Sequence, residues 1–400
     1  MGAPDVDAWV GPLFAVLAVQ IAASFLSRIA PTLAPKLALR VGWPVESVGY
    51  MAALITAGSA VFLLLGMPLL RRFGSVRCLQ FGLAVGVFGA LLSALPQPTA
   101  LLVGSLLIGV SIGPPSSAGI DVLQRFAPIG HRNLLFSIKQ SGVPLGGVLA
   151  GLLLPWLAQT LGVGQAIALS TAVAVLTLVA VQPLRRRVDT QRDNSQSLAW
   201  RVFLGLDNIR KPLAVLVAVP ALRRLGAGGA CLGAGQASWY AFLVTFLVAE
   251  LHWSLTAAGA LFALMQITSA LGRPVLGFLS DRAGGGIVVL KWSTVASALT
   301  TLALAFTTPA WPLWSIVTLA VIGGCTVASW NGVQFAEVAR MAPRELLNET
   351  MTGATLLLLV SFIVGPALFG LIIAAGGGFG MAFGATALVT LAALIPLSRC

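Results

Sequence analysis

Apolar runs long enough to cross a bilayer follow one another along nearly the whole of this 400-residue chain, with short polar loops between them. A hydrocarbon core about 30 Å thick takes about 20 helical residues per crossing, so the chain holds about twelve spans. Backbone groups in lipid have no water to bond, which leaves helices or closed barrels. The runs here are continuous rather than alternating, and that excludes the barrel. Only 9% of the residues are charged, against about 25% in a soluble domain.

A net charge of +12 would suit a nucleic-acid partner, but its distribution argues against one. Most Lys and Arg fall in loops on one side of the predicted spans, while Lys36 and Arg40 lie on the other. That asymmetry is the positive-inside rule, which predicts cytoplasmic termini and a bacterial inner (plasma) membrane. Asp5 and Asp7, with no basic residue before the first span, run against it locally. The first span lacks a charged n-region and a short h-region, so it is expected to remain as an uncleaved helix. Cys78, Cys231, Cys325 and Cys400 lack metal-ligand spacing. No metal or cofactor is expected, and no nucleotide loop is present to power a built-in ATPase.

The longest polar interruption opens at Arg185-Arg186-Arg187 and ends near Leu225, predicting three segments. These are a six-helix bundle over 1–184, a cytoplasmic linker over 185–225 and a second six-helix bundle over 226–400. Within the linker, Pro212–Pro220 is apolar but too short to span, as an interfacial amphipathic segment would be. The bundles echo each other. Arg125-Phe126-Ala127-Pro128 closes the fourth span (100–126), and Arg340-Met341-Ala342-Pro343 closes the tenth (312–336). Gly142–Gly147 in the fifth span is answered loosely by Gly365–Gly370 in the eleventh. Paired repeats around a midplane site are a common transporter plan.

Gly277-Phe278-Leu279-Ser280-Asp281-Arg282-Ala283-Gly284 resembles the G-x-L-x-D-R-x-G loop motif of the major facilitator superfamily. The spans, linker and repeat extend the resemblance over nearly the whole chain. It implies an all-α membrane fold of twelve helices in two pseudo-symmetric bundles. In the first-half copy, Pro68–Gly74, Arg71 replaces the acidic residue and Met67 the leading glycine. By resemblance, Asp281 with Arg282 would meet the start of the fifth span near Arg132-Asn133 and latch one side shut. The degenerate copy suggests a charge-swapped counterpart, Arg71 and Arg72 to Glu345 and Glu349, in the outward-open state.

Arg28 and Arg273 stand inside apolar helices. A charge at that depth costs about 3 kcal/mol on insertion scales and usually marks a bundle interior or an aqueous path. Gln20, Ser24 and Arg28 share one helical face, followed by Pro31 and Pro35. Gln266 and Arg273 share another, as do Gln236, Trp239 and Tyr240, while Trp330, Asn331 and Gln334 add polar groups from the tenth span. Interhelical hydrogen bonding competes with ligand binding for each Gln, Ser and Asn, and core packing competes for both tryptophans. Asp121, the carboxylate well inside the predicted spans, is read as an ion-pair partner of Lys139, with proton coupling as the alternative. The Arg273 context, Gly272-Arg273-Pro274, resembles nitrate, oxalate–formate and monocarboxylate carriers of the superfamily, in which an eighth-span Arg is held to bind the anion.

A monomeric secondary transporter of a small anion is therefore expected, an organic carboxylate first, driven by proton symport or anion exchange. Proton-coupled export of drugs or neutral amphiphiles is the alternative; two buried arginines disfavour a cationic substrate. A membrane sensor on the same fold is the third. Enzyme chemistry is not expected, since His131 and His252 both lie in loops and no nucleophile pairs with a base.

Overall fold

In the computed structural model, which describes residues 6–128, 135, 138–198 and 207–400, the regular elements are all helical. The chain forms two compact units, Met1–Leu33 with Leu54–Gly205, and Ala34–Ala53 with Leu206–Cys400. Among the described residues, eleven helical runs are long and apolar enough to cross a membrane. The last, Glu349–Leu397, has 49 residues, more than twice the length that an about 30 Å core requires. It turns between Gly376 (φ 88) and Gly378 (φ 64), a left-handed conformation that glycine adopts without a Cβ clash. That one run therefore supplies the eleventh and twelfth spans.

The first unit draws on α1 (Val6–Ser27), the start of α2 (Ile29–Val41), most of α3 (Val48–Leu65), α4 (Met67–Phe73) and α5 (Ser75–Ser93). It continues with α6 (Pro98–Val110), α7 (Gly113–Phe126), α8 (Gly142–Thr160) and α9 (Val163–Val181). Small residues set the close crossings. A Cβ on Gly146 of α8 would lie 2.5 Å from the Ile21 carbonyl of α1, the backbone approach that replaces hydrophobic driving force between helices in lipid.

The second unit contains α10 (Asp207–Ala218), α11 (Pro220–Ala249), α12 (Leu255–Arg282), α13 (Gly286–Ala305), α14 (Leu313–Thr326), α15 (Asn331–Met341), α16 (Leu347–Ile372) and α17 (Gly378–Ala392). Its core joins Leu222, Leu225 and Leu232 of α11 to Val289, Trp330, Val338 and Leu397.

Two boundaries differ from the sequence expectation. The expected linker divides at Gly205 and Leu206, where α10 packs on α16. The Pro212 carbonyl sits against Gly353, and Leu216 is buried in the core. Residues Ala34–Ala53 join the second unit for a similar reason. A Cβ on Gly49 would lie 2.5 Å from the Pro366 carbonyl of α16, and Gly370 packs on the Glu46 carbonyl.

Candidate functional site

Corresponding helices are broken in the two units. The fourth span divides into α6 and α7 at Ser111-Ile112, with Pro114 and Pro115 opening α7; the tenth divides into α14 and α15 over Val327–Trp330. The first span also breaks, at Arg28, between α1 and α2. Broken membrane helices release backbone groups that must be satisfied inside the protein, and such breaks mark many transporter sites.

In the second unit the break gathers polar side chains from three helices. The Ala328 carbonyl accepts Gln236 Nε2 (3.2 Å) from α11 and Ser269 Oγ (2.9 Å) from α12. Ser329 Oγ donates to the Gly324 carbonyl at 2.6 Å, its donor geometry also reaching the Ser269 carbonyl at 3.1 Å. The Gln236 and Asn331 amides pair head to head at 3.1 Å in both directions. Gln236 Nε2 also lies 3.1 Å from the Tyr240 hydroxyl, so two amide hydrogens face three acceptors. The Arg273 guanidinium hydrogen-bonds that same hydroxyl. Gln266, Ser269 and Arg273 line one face of α12. Gln266 is fully buried, and neither its Nε2 nor its Oε1 has a hydrogen-bond partner among the described residues. An unsatisfied buried amide costs about 1–3 kcal/mol.

Not every predicted residue joins this cluster. Trp239 is fully buried, donates to Thr301 Oγ1 (2.9 Å) and packs on Gly323. Trp330 is fully buried too and donates to the Val327 carbonyl (2.9 Å). Both are core residues that tie the helix break to its neighbours, not stacking platforms. Gln334 packs against Gly229 and reaches the Leu225 carbonyl at 3.5 Å, away from Gln236 and Tyr240.

In the first unit, Gln20 and Ser24 are buried beneath Gly142 and Gly146 of α8, Gln20 Nε2 lying 3.5 Å from Ser24 Oγ. Arg28, one turn further, is half-buried at the break. The expected Asp121–Lys139 pair does not form. Asp121 Oδ2 pairs with Arg125 Nη2 at 2.5 Å and accepts the Ser75 hydroxyl, while buried Lys139 donates to Gln140 Oε1 at 3.1 Å beside Gly119. An i,i+4 partner on the same helix face is nearer to hand than one across a hairpin. Arg125 also donates to the Val188 carbonyl at 3.0 Å, and Asp189 accepts the Val76 and Arg77 amides at 2.8 and 3.1 Å. Burial raises the Asp189 carboxyl above its ordinary value despite these two bonds. Glu337 makes the counterpart in the second unit, accepting Gly286 N (3.0 Å) and Arg340 Nη2 (2.6 Å).

Of the gating residues, Asp281 is exposed, and the Arg132-Asn133 stretch expected to meet it lies outside the described residues. Arg282 stacks over the Phe278 ring at 4.2 Å. Arg72 donates to the Asn194 (2.5 Å) and Gln196 (2.8 Å) carbonyls of the linker, Arg71 offers its carbonyl to Asp193 N (2.8 Å), Glu345 is exposed and Glu349 half-buried. The Ser269 position was accessible to helical spacing, since it falls between Gln266 and Arg273 on one face. Ser75, Asp189 and the Ala328 carbonyl carried no comparable signal.

A family model described as Major Facilitator Superfamily matches residues 13–222 and 225–399. An uncharacterised MFS-type transporter of Mycobacterium tuberculosis (strain CDC 1551 / Oshkosh) is 26% identical over 83% of this chain and 73% of its own length. Another, from strain ATCC 25618 / H37Rv, is 27% identical over 74% of this chain and 65% of its own. Among solved structures, a POT family transporter in complex with 5-aminolevulinic acid superposes with a TM-score of 0.76 at 14% identity, covering 96% of this chain and 94% of that one. The nucleoside transporter NupG gives 0.72 at 16% identity, with 97% of each chain covered. At these identities the superpositions speak for the fold.

Proposed function

Because the chain belongs to the major facilitator superfamily, and is thus a multi-pass membrane transporter, we propose that it carries a small organic anion by alternating access, with Arg273 as the anion ligand. The observation that carries this proposal is the contact of the Arg273 guanidinium with the Tyr240 hydroxyl, beside the Gln236–Asn331 pair at the broken tenth span. Guanidinium offers a planar fork of donors that matches a carboxylate bidentately. Tyr240 and the unpartnered Gln266 amide supply neutral groups to orient such a ligand. The local electrostatics favour negative charge. Among the described residues of this unit, the buried acidic side chain Glu337 accepts from Arg340 and the Gly286 amide.

Transport is driven by a proton gradient or by exchange for a second anion. In this reading the protein acts as a monomer in a bacterial inner membrane with both termini cytoplasmic, an orientation that the basic loops favour. A thermal-shift screen of carboxylates, inorganic anions, sugars and cationic drugs tests the substrate class, because binding to the folded state raises its apparent stability. Carboxylates are expected to stabilise the protein, and Arg273→Gln is expected to abolish the effect. Stabilisation confined to cations, or anion effects indifferent to that substitution, would overturn the proposal. Uptake of the hit into proteoliposomes then separates a transporter from a sensor, which would bind without accumulation.

A further inference from the structure

The first unit carries a cavity of about 890 Å³ between α4, α5 and α9, at the arginine-rich end of these helices. Its walls are apolar and open: Phe73, Phe81 and Val179 are 43%, 55% and 67% exposed. Arg77, Gln80 and Gln182 form one polar end. A second apolar cavity of about 430 Å³ shares Leu69 and Phe81 with it.

The polar end is built. Arg77 Nη1 donates to Gln80 Oε1 (3.2 Å), and Gln80 Nε2 donates to Gln182 Oε1 (2.7 Å) with the Leu178 carbonyl 3.1 Å away. Gln80 is 9% exposed, so this relay fixes the guanidinium with its remaining donors unused. No carboxylate among the described residues takes them. Asp189 accepts the Val76 and Arg77 backbone amides, one on each oxygen.

We propose that this groove binds an anionic phospholipid, its phosphodiester on Arg77 and its acyl chains along Phe81 and Val179. The position suits an amphiphile. Arg77 stands two residues into the membrane run Ser75–Ser93, and Gln182 lies near the end of Val163–Val188. The charge is therefore held at the interface while the apolar walls extend into the hydrocarbon depth. Arg185, Arg186 and Arg187 follow at the same end, and basic pockets between membrane helices on the cytoplasmic side are recognised headgroup sites. A free anion would use Arg77 and leave the apolar walls bare, which is why a lipid is the occupant.

Native mass spectrometry of the purified full chain tests this with phosphatidylglycerol against phosphatidylcholine. Phosphatidylglycerol is expected to be retained preferentially. Arg77→Gln is expected to weaken its retention about tenfold, the loss typical of a hydrogen bond to a charged group. Ala84→Trp, which fills the cavity from an exposed position on α5, is expected to abolish it at an unchanged melting temperature. Arg186→Gln, a surface charge of the same sign, is expected to change retention by less than about twofold. Equal retention of the two lipids, equal losses for Arg77→Gln and Arg186→Gln, displacement by inorganic phosphate at matched concentration, or full retention in Ala84→Trp would each overturn the proposal. If Arg77→Gln does not fold, the Ala84→Trp and competition results decide it.

Discussion

Arg28 and Arg273 both interrupt apolar helices, yet the two units treat them differently. On α1 the polar stripe leading to Arg28 is covered, with Gln20 and Ser24 buried under the Gly142 and Gly146 face of α8. On α12 the stripe leading to Arg273 stays in a polar neighbourhood: Ser269 bonds the broken helix, Gln266 keeps an uncommitted amide, and Arg273 meets Tyr240. The same pattern of polar residues one or two turns apart thus serves helix packing in one unit and a candidate ligand site in the other. What differs is the neighbour. Glycines on α8 let the α1 backbone come close and shut the stripe away, whereas a helix break opposite α11 and α12 supplies carbonyls and an asparagine that keep the second stripe polar.

The comparison breaks most readily at the arginines. Arg273→Gln should lower kcat/KM for anion uptake about hundredfold, the loss of two charge-assisted bonds, while Arg28→Gln should cost about tenfold or less. Equal losses in proteoliposome uptake would mean that the two arginines share the ligand.

A smaller effect tests the packing half. Gly146→Leu should destabilise by about 1–3 kcal/mol through overpacking against the Ile21 carbonyl. Gly332→Ala at the mouth of the second break, where an added Cβ meets nothing within 4 Å, should leave the melting temperature in detergent unchanged.

The anchors at the arginine-rich ends sharpen it further. Glu337→Gln replaces one of the two buried oxygens that accept from Arg340 and the Gly286 amide with an NH2 donor, and should cost about 1–3 kcal/mol. Asp121→Asn, at a more exposed carboxylate (38% against 8% for Glu337), should cost less, about 1 kcal/mol. Thermal unfolding of the two variants side by side ranks them.

The smallest effect concerns pH. Burial raises the Asp189 carboxyl in the folded state, so its contribution is fully present below the unfolded value and is lost as pH rises through the folded one. Relative to Asp189→Asn, the wild type should therefore lose melting temperature as pH rises above the ordinary carboxylate value of about 4. A rising difference would mean that the Val76 and Arg77 amides outweigh burial.

Much of the fold was open to inference from pattern alone. Run length and continuity dictate helices across a bilayer, and the paired Arg-x-Ala-Pro ends mark the repeat that the two broken spans later display. Helical spacing also brought Gln266 to the face of Arg273, and Gln236 to that of Tyr240. The partner of Asp121 was not legible in this way, because sequence separation says which groups share a face but not which helix lies opposite. The sequence left Trp239 and Trp330 open between core and cavity for the same reason. An indole is equally at home in a core or in a cavity until its N–H partner is known, and here the partners are Thr301 and the Val327 carbonyl.

By itself, then, the sequence determined the solvent, the element type, the repeat and the positive sign of the interior charges, since each follows from local composition and from the cost of placing backbone and charge in lipid. Tertiary structure decided which polar stripe is sealed and which stays polar. That choice is made where glycines and helix breaks on other segments set how closely two backbones approach, a distance that no single helix encodes.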